Sequence, residues 1–269
     1  MLSLAEGTRV VHYLPDVDLS TGAVTGMQAL MRWEHPQRGV LWPSDFMAEA
    51  ERSGLGPALG WDLLTHAAIE LSAWRTLPGG QDGTRQMWVS ITASQLLEVD
   101  FADRVASLVT LNGLMPGSLG LLLPDAALAM GSQHAPALLA ELHTAGVALA
   151  IDDFRSWYGS FGVMAHLPFE AVMLDRAFVR GVGADLEDDG IVGAVITFAH
   201  AQGLRVVADS VESWSEGARL CELGCDRGHG YLFSGPQSSD DARLMLSHGR
   251  GWCPPAPRTS PESERITAR

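Results

Sequence analysis

Cysteine, cationic side chains and long apolar runs are all scarce in this sequence, and each shortage removes a class of protein. The three cysteines, Cys221, Cys225 and Cys253, are an odd number with no CxxC spacing. That argues against a disulfide framework and a zinc ribbon and leaves buried or idle thiols. Lys and Arg together number 18 against 32 Asp and Glu, a formal charge of −14. Such a chain repels polyanions, and no cluster of cations interleaved with aromatics offsets the field locally, so a nucleic-acid polymer is not an expected partner. A small dianionic ligand stays open, because one positive pocket or bound divalent cations reverse the local field. No segment of about 18 apolar residues occurs, and the N-terminus MLSLAEGTRVVHYLPD has no basic stretch ahead of an apolar run. The expectation is a cytoplasmic protein with no membrane segment.

What is present is enough apolar material for one large core: 46% of 269 residues. Short runs rich in Val, Ile and Leu alternate with segments of helical periodicity, the pattern of repeated βα units. Strands are expected at Val10–Tyr13, Thr25–Arg32, Met87–Ile91, Leu119–Leu123, Ala148–Asp152, Ala171–Leu174, Arg205–Ala208 and near Gly230–Phe233. Helices are expected at Pro43–Ser53, Ala58–Trp74, Phe101–Leu111, Gln133–Ala145, Asp189–Gln202 and Ser215–Leu223. The fold class predicted is α/β, a closed TIM-type (β/α)8 barrel. Because only Leu19–Ala23 separates the first two strands, one strand near the N-terminus is expected to be antiparallel. The barrel is expected to span residues 1–252. Residues 253–269 read as a disordered tail and Leu77–Arg85 as a surface loop.

In a βα barrel the C-terminal strand ends converge on one face, so polar residues that close several apolar runs should meet there. ALAID closes on Asp152-Asp153, AVMLD on Asp175 and RVVAD on Asp209, with Glu212 three residues on. Carboxylates gathered this way repel one another unless a cation sits among them, the arrangement of hydrolytic metal sites. A lone strand-end Asp equally serves as the N-cap of the next helix.

At these residues the chain resembles the EAL family of cyclic di-GMP phosphodiesterases, from about Val10 to Pro236. The landmarks run in order: MQALMRW at Met27 to Trp33, His35-Pro36, Gly39, Pro43, Phe46, VSIT at Val89 to Thr92, Asp152-Asp153-Phe154, Leu167-Pro168, Leu174-Asp175-Arg176, VVADSVE at Val206 to Glu212, Gly224-Cys225-Asp226 and GYLFS at Gly230 to Ser234. The resemblance implies a barrel that binds cyclic di-GMP at its C-terminal face and uses two Mg²⁺ or Mn²⁺ ions to activate water.

Against that pattern the chain departs where the metals would be held. The signature Glu is Gln28, the strand-three Asn is Ser90, the strand-four Glu is Leu122, the active-site Lys is Met173, a further Glu is Asp209, and the Gln before Gly-Tyr is His229. Of four side chains that hold one metal in the family, only Asp152 remains. Leu122 matters most, since leucine has no lone pair to offer. The metal site is therefore expected to be absent, with Asp152, Asp153 and Asp209 as residual candidates, and Mg or Mn would matter only if residual activity exists. His229 reads either as part of a rearranged His/carboxylate site or as a histidine hydrogen-bonded to a mouth carboxylate.

Leu30 and Arg32 match residues that contact the nucleotide in the family. Together with Asp152, Asp153, Asp175 and Glu212 they form the candidate ligand set, although Arg32 could equally pair with Asp209 or Glu212. Leu14 and Gly235 replace a Gln and an Arg of the family pattern. The family's Gly-Thr-Gly after the acidic pair is Arg155-Ser156-Trp157, which makes Arg155 and Trp157 candidate contacts for a protein partner. Most other tryptophans read as core or helix-packing residues. The expected function is a catalytically inactive EAL-like domain acting through a protein partner. The alternatives are a non-hydrolysing cyclic di-GMP receptor and a residual phosphodiesterase with a remodelled site.

Overall fold

Alternation of inward and outward residues along each apolar run closes a sheet on itself, and the computed structural model describes that closure through residues 7–78, 85–124, 135–154 and 167–248. In chain order the elements are β1 (Thr8–Asp18), β2 (Val24–His35), β3 (Gly39–Leu41), α1 (Pro43–Arg52), α2 (Gly56–Trp74), β4 (Gln86–Ser90), α3 (Ala93–Leu96), α4 (Phe101–Leu111), β5 (Leu119–Pro124), α5 (Ala135–Thr144), β6 (Ala148–Phe154), β7 (Ala171–Leu174), α6 (Arg176–Val179), α7 (Leu186–Ala201), β8 (Arg205–Ala208), α8 (Trp214–Glu222), β9 (Arg227–Gly228) and α9 (Ser239–His248). The sheet order is β1-β9-β8-β7-β6-β5-β4-β2-β3, and an additional β1–β2 pairing shuts it into an eight-stranded barrel with β3 outside. As expected, β1 is antiparallel to its neighbours, and β2 and β4 to β9 run parallel around the ring.

Three layers fill the barrel. At the N-terminal end, Arg227 Nη1 donates to Asp16 Oδ2 at 2.8 Å and to Gln86 Oε1 at 2.9 Å, while Arg205 reaches Gln86 Oε1 at 3.0 Å and Glu170 Oε2 at 3.2 Å. Above this polar plate lies a dry layer of Trp88, Leu122, Ala148, Ala150, Ala171, Met173 and Val207. Trp88 fits only because position 120 is glycine: a Cβ there would lie 2.2 Å from its ring. The third layer, at the mouth, carries the polar ends of the strands.

The helices pack outside this ring. In α2, Leu59, Leu63, Leu64, Ala67, Leu71 and Trp74 form the buried stripe that helical periodicity anticipated. Helix α7 starts at Leu186, three residues before the expected Asp189, because the Asp185 carboxylate accepts from the Glu187 N–H and caps it.

Several expectations are corrected. Strand β1 runs on to Asp18, well past Tyr13, held by its long pairing with β2. The last strand is Arg227–Gly228, and Gly230–Phe233 is a turn in which the Phe233 N–H donates to Gly230 O at 3.1 Å. The chain leaves the sheet there because Gly230 has φ +146° and a Cβ would meet Val211 O at 2.2 Å. The one-turn helices α3 and α6, too short to display a period, went unanticipated, as did the ten-residue α9. Trp33, Trp74 and Trp88 are core residues, but Trp42 and Trp214 are exposed. The expected loop at Leu77–Arg85 and the tail at 253–269 fall largely or wholly outside the described residues.

Candidate functional site at the barrel mouth

Strand register sets the site. Gln28 pairs with Trp88 across β2 and β4, Ser90 with Leu122 across β4 and β5, and Pro124 with Asp152 across β5 and β6. The period of two therefore turns Gln28, Ser90, Leu122 and Asp152 toward the barrel axis. The side chains connect: Gln28 Nε2 donates to Ser90 Oγ at 3.5 Å, at the outer limit, and Ser90 Oγ donates to Asp152 Oδ2 at 3.2 Å. Leu122 and Met173 lie below, both buried in the dry layer.

Asp152 is ionisable in a poor place to be charged. Burial, then repulsion from Asp153, push its carboxyl up to about 6, with the Ser90 hydrogen bond opposing. A folded-state value above the ordinary 3.8 means that the native state holds this proton more tightly than the unfolded chain does. Stability from this residue is therefore fully present below about pH 4 and is lost as pH rises through about 6. Asp152→Asn keeps an acceptor for Ser90 but removes the charge. Urea unfolding of that variant at pH 7 should show a gain of about 3 kcal/mol and a flattened profile between pH 4 and 6; a loss of stability at pH 7 would contradict the assignment.

The backbone at the mouth is strained on both sides. Asp153 has φ 50° and Ser210 φ 59°, the only non-glycine residues with positive φ among those described. At Asp153 the turn lets the N–H reach Asp152 Oδ1 at 3.0 Å; at Ser210 the hydroxyl donates to Asp209 Oδ2 at 3.2 Å.

The remaining candidates distribute unevenly. Asp175 is buried and caps α6, its Oδ1 accepting from the Ala177 N–H at 2.7 Å. Glu212 is exposed at the approach to α8, where its N–H donates to Glu216 Oε2. His229 does not join the mouth carboxylates: it is fully buried and faces downward, its Nε2 3.3 Å from Asp16 Oδ1 without hydrogen-bond alignment. Asp16 was missed by sequence reasoning, the one available signal being a carboxylate inside the apolar run of β1. Burial works to raise its pKa, but His229 and Arg227 together hold it down at about 2. Leu30 is half-buried on β2.

Arg32 forms no ion pair with Asp209 or Glu212. Its Nη1 donates to Met31 O at 2.8 Å, and the guanidinium lies 3.8 Å from the centroid of the Trp42 ring. Arg155 and Trp157 lie outside the described residues. Among those described, no three His, Cys, Asp or Glu side chains converge in a way that could hold a metal ion, and no helix is long and apolar enough to cross a membrane.

Comparison with known proteins gives concordant matches. The family model for the EAL domain matches residues 2–236. An uncharacterized protein of Mycobacterium tuberculosis is 36% identical over 251 residues, 93% of this chain and 40% of that protein. The bifunctional diguanylate cyclase/cyclic di-GMP phosphodiesterase MucR of Pseudomonas aeruginosa is 30% identical over 234 residues, 86% of this chain and 33% of its own length. The chain thus spans well under half the length of these relatives. Among solved structures, the MucR phosphodiesterase in complex with cyclic di-GMP aligns with a TM-score of 0.81 at 29% identity, covering 87% of this chain and 94% of that one. The EAL domain of Mycobacterium smegmatis DcpA aligns with a TM-score of 0.77 at 31% identity, covering 90% of this chain and 99% of that one.

Proposed function

The chain belongs to the EAL domain family, and from that membership we propose that it serves cyclic di-GMP signalling by occupancy of its barrel mouth, without hydrolysis. The observation that carries this reading is the hydrogen-bonded row Gln28, Ser90, Asp152 above Leu122 and Met173. Two Mg²⁺ or Mn²⁺ ions need a set of hard oxygen donors. Here an amide and a hydroxyl face the one carboxylate in the row, and an aliphatic side chain fills the adjacent position. The residues present do not fit the metals, so no hydrolytic step is assigned to them. No lysine occurs anywhere in the sequence to stand in for the charge missing at Met173.

Nucleotide binding is the reading favoured by Arg32, a buried cation beside the mouth with hydrogen-bonding capacity unspent. The resemblance to the MucR structure in its cyclic di-GMP complex points the same way. Contact with a protein partner through Arg155 and Trp157 remains the complementary proposal, tested by loss of copurifying protein in a Trp157→Ala variant. Calorimetry with cyclic di-GMP in EDTA and then in Mg²⁺ tests the occupancy reading. Heat of binding that is the same with and without the metal is expected. No heat at near-millimolar nucleotide would remove the receptor reading and leave partner contact alone.

A further inference from the structure

A cation withdrawn from water is normally compensated by a carboxylate. Arg32 is 2% exposed, and no carboxylate pairs with it among the described residues; its Nη2 is buried with no acceptor. What covers it is an indole that does not belong to the core. Trp42 is 42% exposed, and its ring centroid lies 3.8 Å from the guanidinium carbon. The residue stands just before α1, where its main-chain N–H donates to Asp45 Oδ2 at 2.9 Å. The cap is therefore main chain, and the ring can turn about its side-chain torsions without disturbing it.

We propose that Trp42 is the gate of the mouth: its indole closes over Arg32 and must swing aside before an anionic oxygen can reach the buried Nη2. The inference rests on the occupancy reading and adds its regulation. A phosphate ester is the matching ligand class, because a charge-assisted contact to guanidinium outweighs the cation–π contact it displaces. While shut, the gate lowers apparent affinity by the fraction of molecules that are open.

Phenylglyoxal labelling followed by peptide mass spectrometry reads the gate without any nucleotide, and the absence of lysine simplifies the chemistry. In the wild-type protein Arg32 should react far more slowly than the exposed Arg38. Trp42→Ala should accelerate Arg32 by about tenfold, the scale of a partly desolvated cation–π contact, and leave Arg38 unchanged. Trp42→Phe should fall between, and it preserves an aromatic cover if the alanine variant has a lowered thermal midpoint. Cyclic di-GMP titrated into the same proteins should bind Trp42→Ala about tenfold more tightly than wild type. An unchanged Arg32 labelling rate overturns the gate, as does nucleotide affinity that is unchanged or weaker in Trp42→Ala. If neither protein binds nucleotide while the labelling rates separate, the gate stands and the nucleotide reading falls.

Discussion

Incubated with cyclic di-GMP and Mn²⁺, the protein should release no more linear dinucleotide than its Asp152→Ala variant. The size of the deficit follows from what the mouth lacks. A bound metal brings the pKa of water down toward neutrality, and the charge building on phosphate and leaving oxygens needs fixed counter-charge. Loss of one preorganised stabilising group typically lowers turnover by about 10²–10³. On the proposed non-hydrolytic reading Leu122, Ser90, Gln28 and Met173 all stand where such groups are needed, and the combined loss is at least about five decades, or about 7 kcal/mol at 1.4 kcal/mol per tenfold. Restoring one donor does not recover it. Leu122 is wholly buried among Trp88, Ala150 and Met173, so Leu122→Glu places an uncompensated carboxylate in a dry layer and should destabilise the barrel by about 3–5 kcal/mol. Manganese-dependent product in the wild-type protein above the Asp152→Ala background would end the non-hydrolytic reading.

The second large effect lies at the other end of the barrel. Asp16→Ala should destabilise the fold by about 3–5 kcal/mol in urea, because it strips a buried counter-charge from Arg227. Gln86 Oε1, already shared with Arg205, cannot replace a charge. The pair also sets an acid limit. The folded-state pKa of Asp16 is held at about 2 against an ordinary 3.8, so its stabilisation is present above about pH 4 and is lost as pH falls toward 2. That difference corresponds to about 2 kcal/mol. The double variant Asp16→Ala with Arg227→Met should recover much of the single-variant loss, since both charges then leave together. A loss below about 1 kcal/mol in Asp16→Ala would mean that the plate beneath the barrel is ornamental to stability.

These two expectations pull on different features of the same chain. The mouth has the strained backbone of Asp153 and Ser210, and beside it Gln28, Ser90 and Asp152 bond to one another. The plate beneath pairs Arg227 with Asp16 and Gln86, and His229, placed by sequence reasoning near the mouth, lies beside Asp16 there instead.

The barrel was legible in the sequence because short apolar runs alternating with helical segments, and the carboxylates that close those runs, are local signals read without knowing any partner. The identities of Gln28, Ser90, Leu122 and Met173, on which the non-hydrolytic proposal rests, were legible for the same reason, since whether a side chain has a lone pair is settled by its identity. How these side chains pair was not. The Gln28 to Ser90 and Ser90 to Asp152 contacts each span 62 residues, and the Arg227 to Asp16 contact spans 211. The closure of Trp42 over Arg32, and the downward turn of His229, likewise depend on which strands become neighbours and in what register. Chemical identity is written residue by residue. The choice of partner belongs to a closed sheet, in which a shift of one residue would turn every side chain to the other face.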